Sequence, residues 1–233
     1  METQWLTALW ALQTLFILVG VIIFLITPTA GKKDLWELGA LLIISFLADA
    51  ITMGGYFILR TNMNLVPNIF QFLNLPLALI LYGRKIHWKN SRIVSNVMIV
   101  AFILYAAINF FVIQGFSDIN AYTSTVSSLA FIVISLAYFY VLIQQMPAER
   151  ISRLPMFWVN SAFLIYYSGN FTIHLAVDYL IKLKNNLVLP WTVHNFFGLI
   201  FYGLLWIGLL LNRSQHLDPG VRYKSGVKNQ IVE

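Results

Sequence analysis

The sequence predicts an all-α membrane protein: one bundle of seven membrane-spanning helices, with the N-terminus outside and the C-terminus in the cytoplasm. Three observations carry this. The chain of 233 residues is 59% hydrophobic and 10% charged, against roughly 25% charged in ordinary soluble domains. Its apolar residues fall into long blocks of the roughly 17 to 25 residues that a membrane-crossing helix needs. Its Lys and Arg residues alternate between the two ends of those blocks.

The blocks lie near 5–27, 35–59, 65–83, 93–114, 121–145, 156–181 and 188–211, making residues 1–211 one transmembrane domain. The gaps are short and hold most of the charge, which leaves no room for a soluble domain. The loops after the first, third and fifth blocks, together with the tail, carry Lys32, Lys33, Arg84, Lys85, Lys89, Arg92, Arg150, Arg153, Arg213, Arg222, Lys224 and Lys228; the opposite side carries Arg60, Lys182 and Lys184. Twelve against three puts the first group in the cytoplasm, and an even number of spans would scramble the pattern. The net charge of +6 then serves anchoring to anionic inner-leaflet lipid. Dispersed basic residues without a recognition motif exclude a nucleic-acid partner.

The block at 5–27 is preceded by METQ, which lacks the basic region of a signal peptide. Pro28 stands where a small residue is wanted before cleavage at Ala30, so the block reads as a retained helix. On 35–59, Ser45, Asp49, Thr52 and Tyr56 step by 4, 3 and 4 along one helical face. Glu37 is expected at the cytoplasmic interface with no special role.

The third block opens with NMNLVPNIFQFLNLP, residues 62–76, unusually rich in amides for a membrane segment. Asn64, Asn68 and Gln71 lie on one face, with Asn74 on the same half. Pro67 falls in the first turn, where proline's missing donor costs nothing. Pro76 falls mid-helix and predicts a kink. The block at 93–114 adds Tyr105 and Asn109. On 156–181, Tyr167, Asn170, His174 and Asp178 form another stripe, and 188–211 adds His194 and Asn195. The glycosylation sequon Asn170-Phe171-Thr172 lies inside a helix and carries no weight. The tail at 212–233 is basic and too short to fold alone.

Polar groups in a bilayer are costly and should face protein or water. Interhelical amide and hydroxyl bonds often only hold helices together, at about 0.6 kcal/mol on average. Stripes on several helices at one depth, all toward the outer half, go beyond that and point to a pocket open to the outside. The candidate ligand-binding residues are Asp49, Thr52, Asn68, Gln71, Asn109, Asn170, His174, Asp178, His194 and Asn195. Asp49 leads them, as an ionisable group deep in a span with no nearby Lys or Arg.

The chain has no cysteine, which excludes disulfides, thiolate catalysis and cysteine metal sites. No nucleotide-binding or hydrolase motif occurs, so no catalytic residue and no cofactor are expected. His174, Asp178 and His194 are weak candidates for a metal, through the i, i+4 pair and a third ligand from the last block. No Lys lies inside the last block, which excludes a retinal Schiff base.

Shifting the chain by 122 residues aligns the second and third blocks with the sixth and seventh. Trp36 meets Trp158, Asn64 meets Asn186 and, after one insertion, Pro67 meets Pro190 and Gln71 meets His194. Polar faces also align: Ser45 with Tyr167, Thr52 with His174, and Tyr56 with Asp178. The alignment predicts a parallel 3+1+3 repeat, whose interface is where a site is expected.

The runs LLIISFLADAI, FQFLNLPLALILYG and LPMFWVNSAFLIYYSGNF resemble a group of small seven-helix membrane proteins of Bacteroidetes, over most of the chain and through loose, mainly apolar motifs. Members often stand beside sensor histidine kinases, so the resemblance implies signal input to a kinase or other partner. No catalytic residue is assigned in that group to carry over. The architecture is also similar to the SWEET and PQ-loop transporters, although the PQ dipeptide and that group's proline pattern are missing here. Three readings remain open: a sensory or ligand-binding module for a small molecule or lipid, a small-solute transporter, and a metal-dependent membrane enzyme or haem protein.

Overall fold

The computed structural model of the protein describes residues 2–61, 63–86, 90–115, 120–144, 151–182 and 188–217, with all their side chains except those at 2–3, 176–178 and 181–182. Among the described residues the structure is helical throughout, without strands. Long apolar runs with few helix breakers produce long helices. The breaks fall at Pro28, near Arg60 and before Pro155, where the backbone loses a donor or turns left-handed.

In order, α1 spans Glu2–Leu25, the short α2 spans Thr29–Asp34, and α3 spans Trp36–Gly54. α3 ends in a π-helical turn, Gly55–Leu59, stopped by Arg60 at φ 51°. α4 covers Leu65–Lys85 and α5 Ser91–Ile108, again ending in a π turn, Asn109–Ile113. α6 spans Ala121–Gln144, a 3-10 turn covers Ile151–Arg153, α7 spans Pro155–Lys182, and α8 spans Val188–Leu217.

The long helices follow the expected blocks, with two differences: α2 occupies a gap expected to be a loop, and the last helix is longer. α8 runs on through Asn212 to Leu217, so the tail begins later than expected. Asn212 explains this: it is buried, and its Nδ2 donates to the Gly31 carbonyl at 3.0 Å. That contact holds the last turns of α8 against α2. α4 contains Pro76 and is nonetheless one continuous helix.

Six of the helices are long and apolar enough to cross a membrane, and the structure is thus that of a multi-helix bundle compatible with a multi-pass membrane protein. α7 is not among the six despite its 28 residues. It packs between α6 and α8, which lets Asn160 and Asn170 lie fully buried, while Ile165, Leu175 and Tyr179 on its other side stay exposed.

Neighbouring helices close a ring in the order α1, α3, α4, α6, α7, α8 and back to α1, while α5 packs on α4. The core of the ring is aromatic. Phe131 of α6 stacks on Tyr167 of α7 with centroids 3.8 Å apart and planes 3° from parallel. Phe163 stacks on Phe131 one turn away, at 5.0 Å. Apolar groups from α1, α3, α4 and α8 fill the remaining space, led by Ile17, Leu42, Leu79 and Leu205.

The expectation for Glu37 is corrected. Glu37 does not lie free at an interface. It is buried in the first turn of α3 and paired with Arg84 of α4. Burying a carboxylate in that position requires a fixed cation, and the last turn of α4 supplies it.

Candidate functional site

The polar face of α3 divides by chemistry. Ser45 and Thr52 donate back to the carbonyls of Leu41 and Ala48, each at 2.7 Å, so their protons are satisfied within the helix. A carboxylate only accepts, so Asp49 must find its donors elsewhere. Thr14 of α1 supplies one at 3.3 Å, its hydroxyl also lying 3.1 Å from the Trp10 carbonyl. The Trp10 side chain reaches the same carboxylate. Tyr166 of α7 and Tyr202 of α8 stand within its electrostatic reach. Neither of the two ion pairs among the described residues involves Asp49.

Tyr56 lies one turn beyond Thr52, in the π turn Gly55–Leu59, where it is exposed and packs edge-on against Trp10 at 6.4 Å, the side chain that also reaches Asp49.

α7 and α8 bring Asn170, His174 and His194 together. Asn170 Nδ2 donates to the Tyr166 carbonyl at 2.9 Å, and its Oδ1 meets His194 Nδ1 at 2.7 Å. An amide oxygen only accepts, so His194 carries its proton on Nδ1 and Nε2 keeps a lone pair. Around that imidazole stand Trp191, Tyr166 and His174, with ring centroids at 5.4, 5.8 and 5.9 Å. Asn195 is buried on α8. Tyr166 thus packs on His194 and lies within electrostatic reach of Asp49.

α4 contributes amides to the same interior. Asn68 is buried in its first turns. Asn74 Nδ2 meets the Tyr167 hydroxyl at 2.5 Å, linking α4 to α7. The Asn74 Oδ1 and Gln71 Oε1 atoms are buried without a protein partner. Buried acceptors left unpaired are uncommon in folded proteins and mark places where a ligand or water belongs.

Asn109 is not brought into this group. It sits in the π turn after α5, where its Nδ2, with two protons to donate, lies within hydrogen-bond distance of Gln114 Oε1 at 3.0 Å, Thr123 Oγ1 at 2.9 Å and Asn120 Oδ1. Those bonds fasten the end of α5 to the start of α6. The side chain of Asp178 lies outside the described residues. Among the described residues no group of three His, Asp or Glu side chains is placed to hold a metal ion, and His174 and His194 are a pair.

Several contributors carry no stripe in the sequence. Gln13 is 7% exposed on α1, with an unpartnered Oε1 lying against Gly198 of α8. Gln13 and Thr14 are adjacent polar residues in an otherwise apolar block, and that pair is the available signal. Tyr202 is hidden by composition, since tyrosine is common in this chain. Nearer the Glu37 end of the bundle, Tyr82 of α4 donates to Asn160 Oδ1 of α7 at 2.6 Å, and Asn160 Nδ2 donates to the Ser135 carbonyl of α6 at 3.1 Å. The chain matches no family model, no curated protein and no solved structure.

Proposed function

We propose that this protein is a seven-span inner-membrane binding module, N-terminus outside, that takes a small polar molecule into its interior from the outer side and signals through a separate partner. The observation that carries the reading is a carboxylate without a cation, Asp49 of α3, within electrostatic reach of Tyr166 and Tyr202, with Tyr166 packed on the His194 that joins Asn170 and His174, in a bundle whose α4 leaves Gln71 Oε1 and Asn74 Oδ1 buried and unpaired. Helix association alone needs scattered bonds of about 0.6 kcal/mol each. It gives no reason to leave a carboxylate without a cation.

Counting α7 as the seventh span is supported by aromatic girdles. Exposed Trp5, Tyr56, Tyr122 and Tyr179 stand near one end of α1, α3, α6 and α7, and exposed Trp36 and Tyr140 near the other. Trp and Tyr favour the two membrane surfaces. At about 1.5 Å per residue, α7 spans roughly 42 Å, ample for the hydrocarbon core. The basic clusters then fall in the cytoplasm, and the resemblance to proteins beside sensor kinases supplies the partner class.

A second reading, a small-solute transporter, is favoured by the order of the ring. Exchanging α1, α3 and α4 with α6, α7 and α8 turns the α1–α8 contact into the α6–α4 contact, and both occur. α5 stands apart beside α4, as the linking helix of a 3+1+3 repeat would. Proteoliposome uptake of a bound solute separates the two readings.

Cysteine accessibility tests the pocket. The chain has no native cysteine, so Thr52→Cys and Gln71→Cys introduce single reporters. Both are expected to react with a membrane-impermeant thiol reagent added outside intact cells. Inert thiols at both positions, in protein shown to be folded, would reduce the polar groups to packing.

A further inference from the structure

We infer that the molecule received by this interior is a small organic cation, a primary or quaternary ammonium, with Asp49 as its counter-charge and the Trp10, Tyr166 and Tyr202 rings as its walls. The inference rests on the proposed outward-opening pocket and names the ligand class for it.

Two independent features point the same way. The first is charge. Asp49 belongs to neither ion pair among the described residues, and both of those pairs lie at the Glu37 end of the bundle. Lys and Arg are missing from the sequence of α1, α7 before Lys182, and α8 before Arg213. An anionic ligand would meet a carboxylate and no cation. The Trp10 side chain reaches that carboxylate and Tyr166 and Tyr202 lie within its electrostatic range, and aromatic faces attract cations most strongly where water is thin.

The second is the kind of polar atom left without a partner. In α1 and α4, toward the interior, these are Gln13 Oε1, Gln71 Oε1 and Asn74 Oδ1. All are acceptors. The Gln13 side chain is more than nine-tenths buried, so solvent at the surface does not satisfy it. His194 adds another acceptor, because its Nδ1 proton is committed to Asn170 and Nε2 keeps its lone pair. A site with a surplus of acceptors and one uncompensated negative charge is complementary to a donor-rich cation. A sugar would use donors and acceptors about equally and leave the charge unmatched.

The probe is phenethylammonium, with tetraethylammonium as a quaternary arm, phenylpropanol as a neutral control, and sodium or potassium chloride as inorganic controls. The readout is the rate at which the Thr52→Cys thiol is labelled from outside. Saturating ammonium is expected to slow labelling by about tenfold, while the alcohol and the salts do not. Asp49→Asn is expected to keep the labelling and raise the half-protecting concentration by about 30-fold or more, the scale for loss of one partner of a desolvated charge pair. Asp49→Glu, which keeps the charge, is expected to retain part of the protection.

Labelling that proceeds equally with and without either ammonium overturns the cation inference and leaves the pocket standing. Equal protection by the alcohol, or by the salts, overturns it in favour of a neutral or an inorganic ligand. Protection unchanged in Asp49→Asn overturns the role of Asp49. A thiol that never reacts overturns the pocket and this inference together.

Discussion

Glu37 Oε1 and Arg84 Nη1 meet at 2.5 Å, with the carboxylate 1% and the guanidinium 34% exposed. The pair ties the first turn of α3 to the last turn of α4, and Arg84 Nη2 also donates to the Lys33 carbonyl at 3.2 Å. Beside it, Lys85 and Asp34 pair at 2.6 Å in a more exposed setting. Losing one partner of a buried pair strands a charge. Arg84→Ala should therefore cost about 2–3 kcal/mol, below the fully buried range because Arg84 is partly solvated. Asp34→Ala should cost less than about 1 kcal/mol. Reversible unfolding in mixed micelles reads both, and equal losses would count against a special role for the buried carboxylate.

Two glycines of α8 should respond with opposite signs. A Cβ on Gly208 would come within 3.0 Å of the Pro155 carbonyl and 2.9 Å of Val159 Cγ2, whereas one on Gly203 meets nothing within 4 Å. A backbone carbonyl does not rotate aside, so Gly208→Ala should lose about 1–3 kcal/mol by forcing α7 and α8 apart. Gly203→Ala should be neutral or gain up to about 1 kcal/mol from helix propensity. Thermal midpoints of the two variants in one detergent decide it, and a stabilised Gly208→Ala would show that these helices do not approach so closely.

Tyr82 is buried with its hydroxyl 2.6 Å from Asn160 Oδ1 and 3.3 Å from Ser135 Oγ. Tyr82→Phe keeps the ring and removes both contacts. The expected loss is about 0.6–1.7 kcal/mol, the span measured for interhelical hydrogen bonds in membrane proteins. A double-mutant cycle with Asn160→Leu should recover most of that as coupling. Additive losses would mean that the hydroxyl acts elsewhere.

The proposed orientation places Thr61 outside and Ser214 in the cytoplasm, and both residues are exposed. A single Thr61→Cys should label with an impermeant reagent on intact cells. Ser214→Cys should label only after permeabilisation. The reverse pattern would invert the protein in the membrane and with it the side from which the pocket opens.

The sequence by itself determined the helical class and most element ranges, because hydrophobic length and chain breakers act locally. It also determined that α3, α4, α7 and α8 bear polar faces, since residues three and four apart share a side of any α-helix. The tertiary structure decided which faces meet. Asp49 looks to Thr14 and Trp10 of α1 as well as to α7 and α8, Asn109 turns to the start of α6, and Glu37 is drawn inward by Arg84. Asn160 and Tyr202 stand seven residues from Tyr167 and Asn195 on the same helical faces, yet what they and Gln13 bond to became visible only through a neighbour's contacts. A helix's own period fixes where a side chain points on that helix. The group it points at is set by packing between segments far apart in the chain, which no local pattern records.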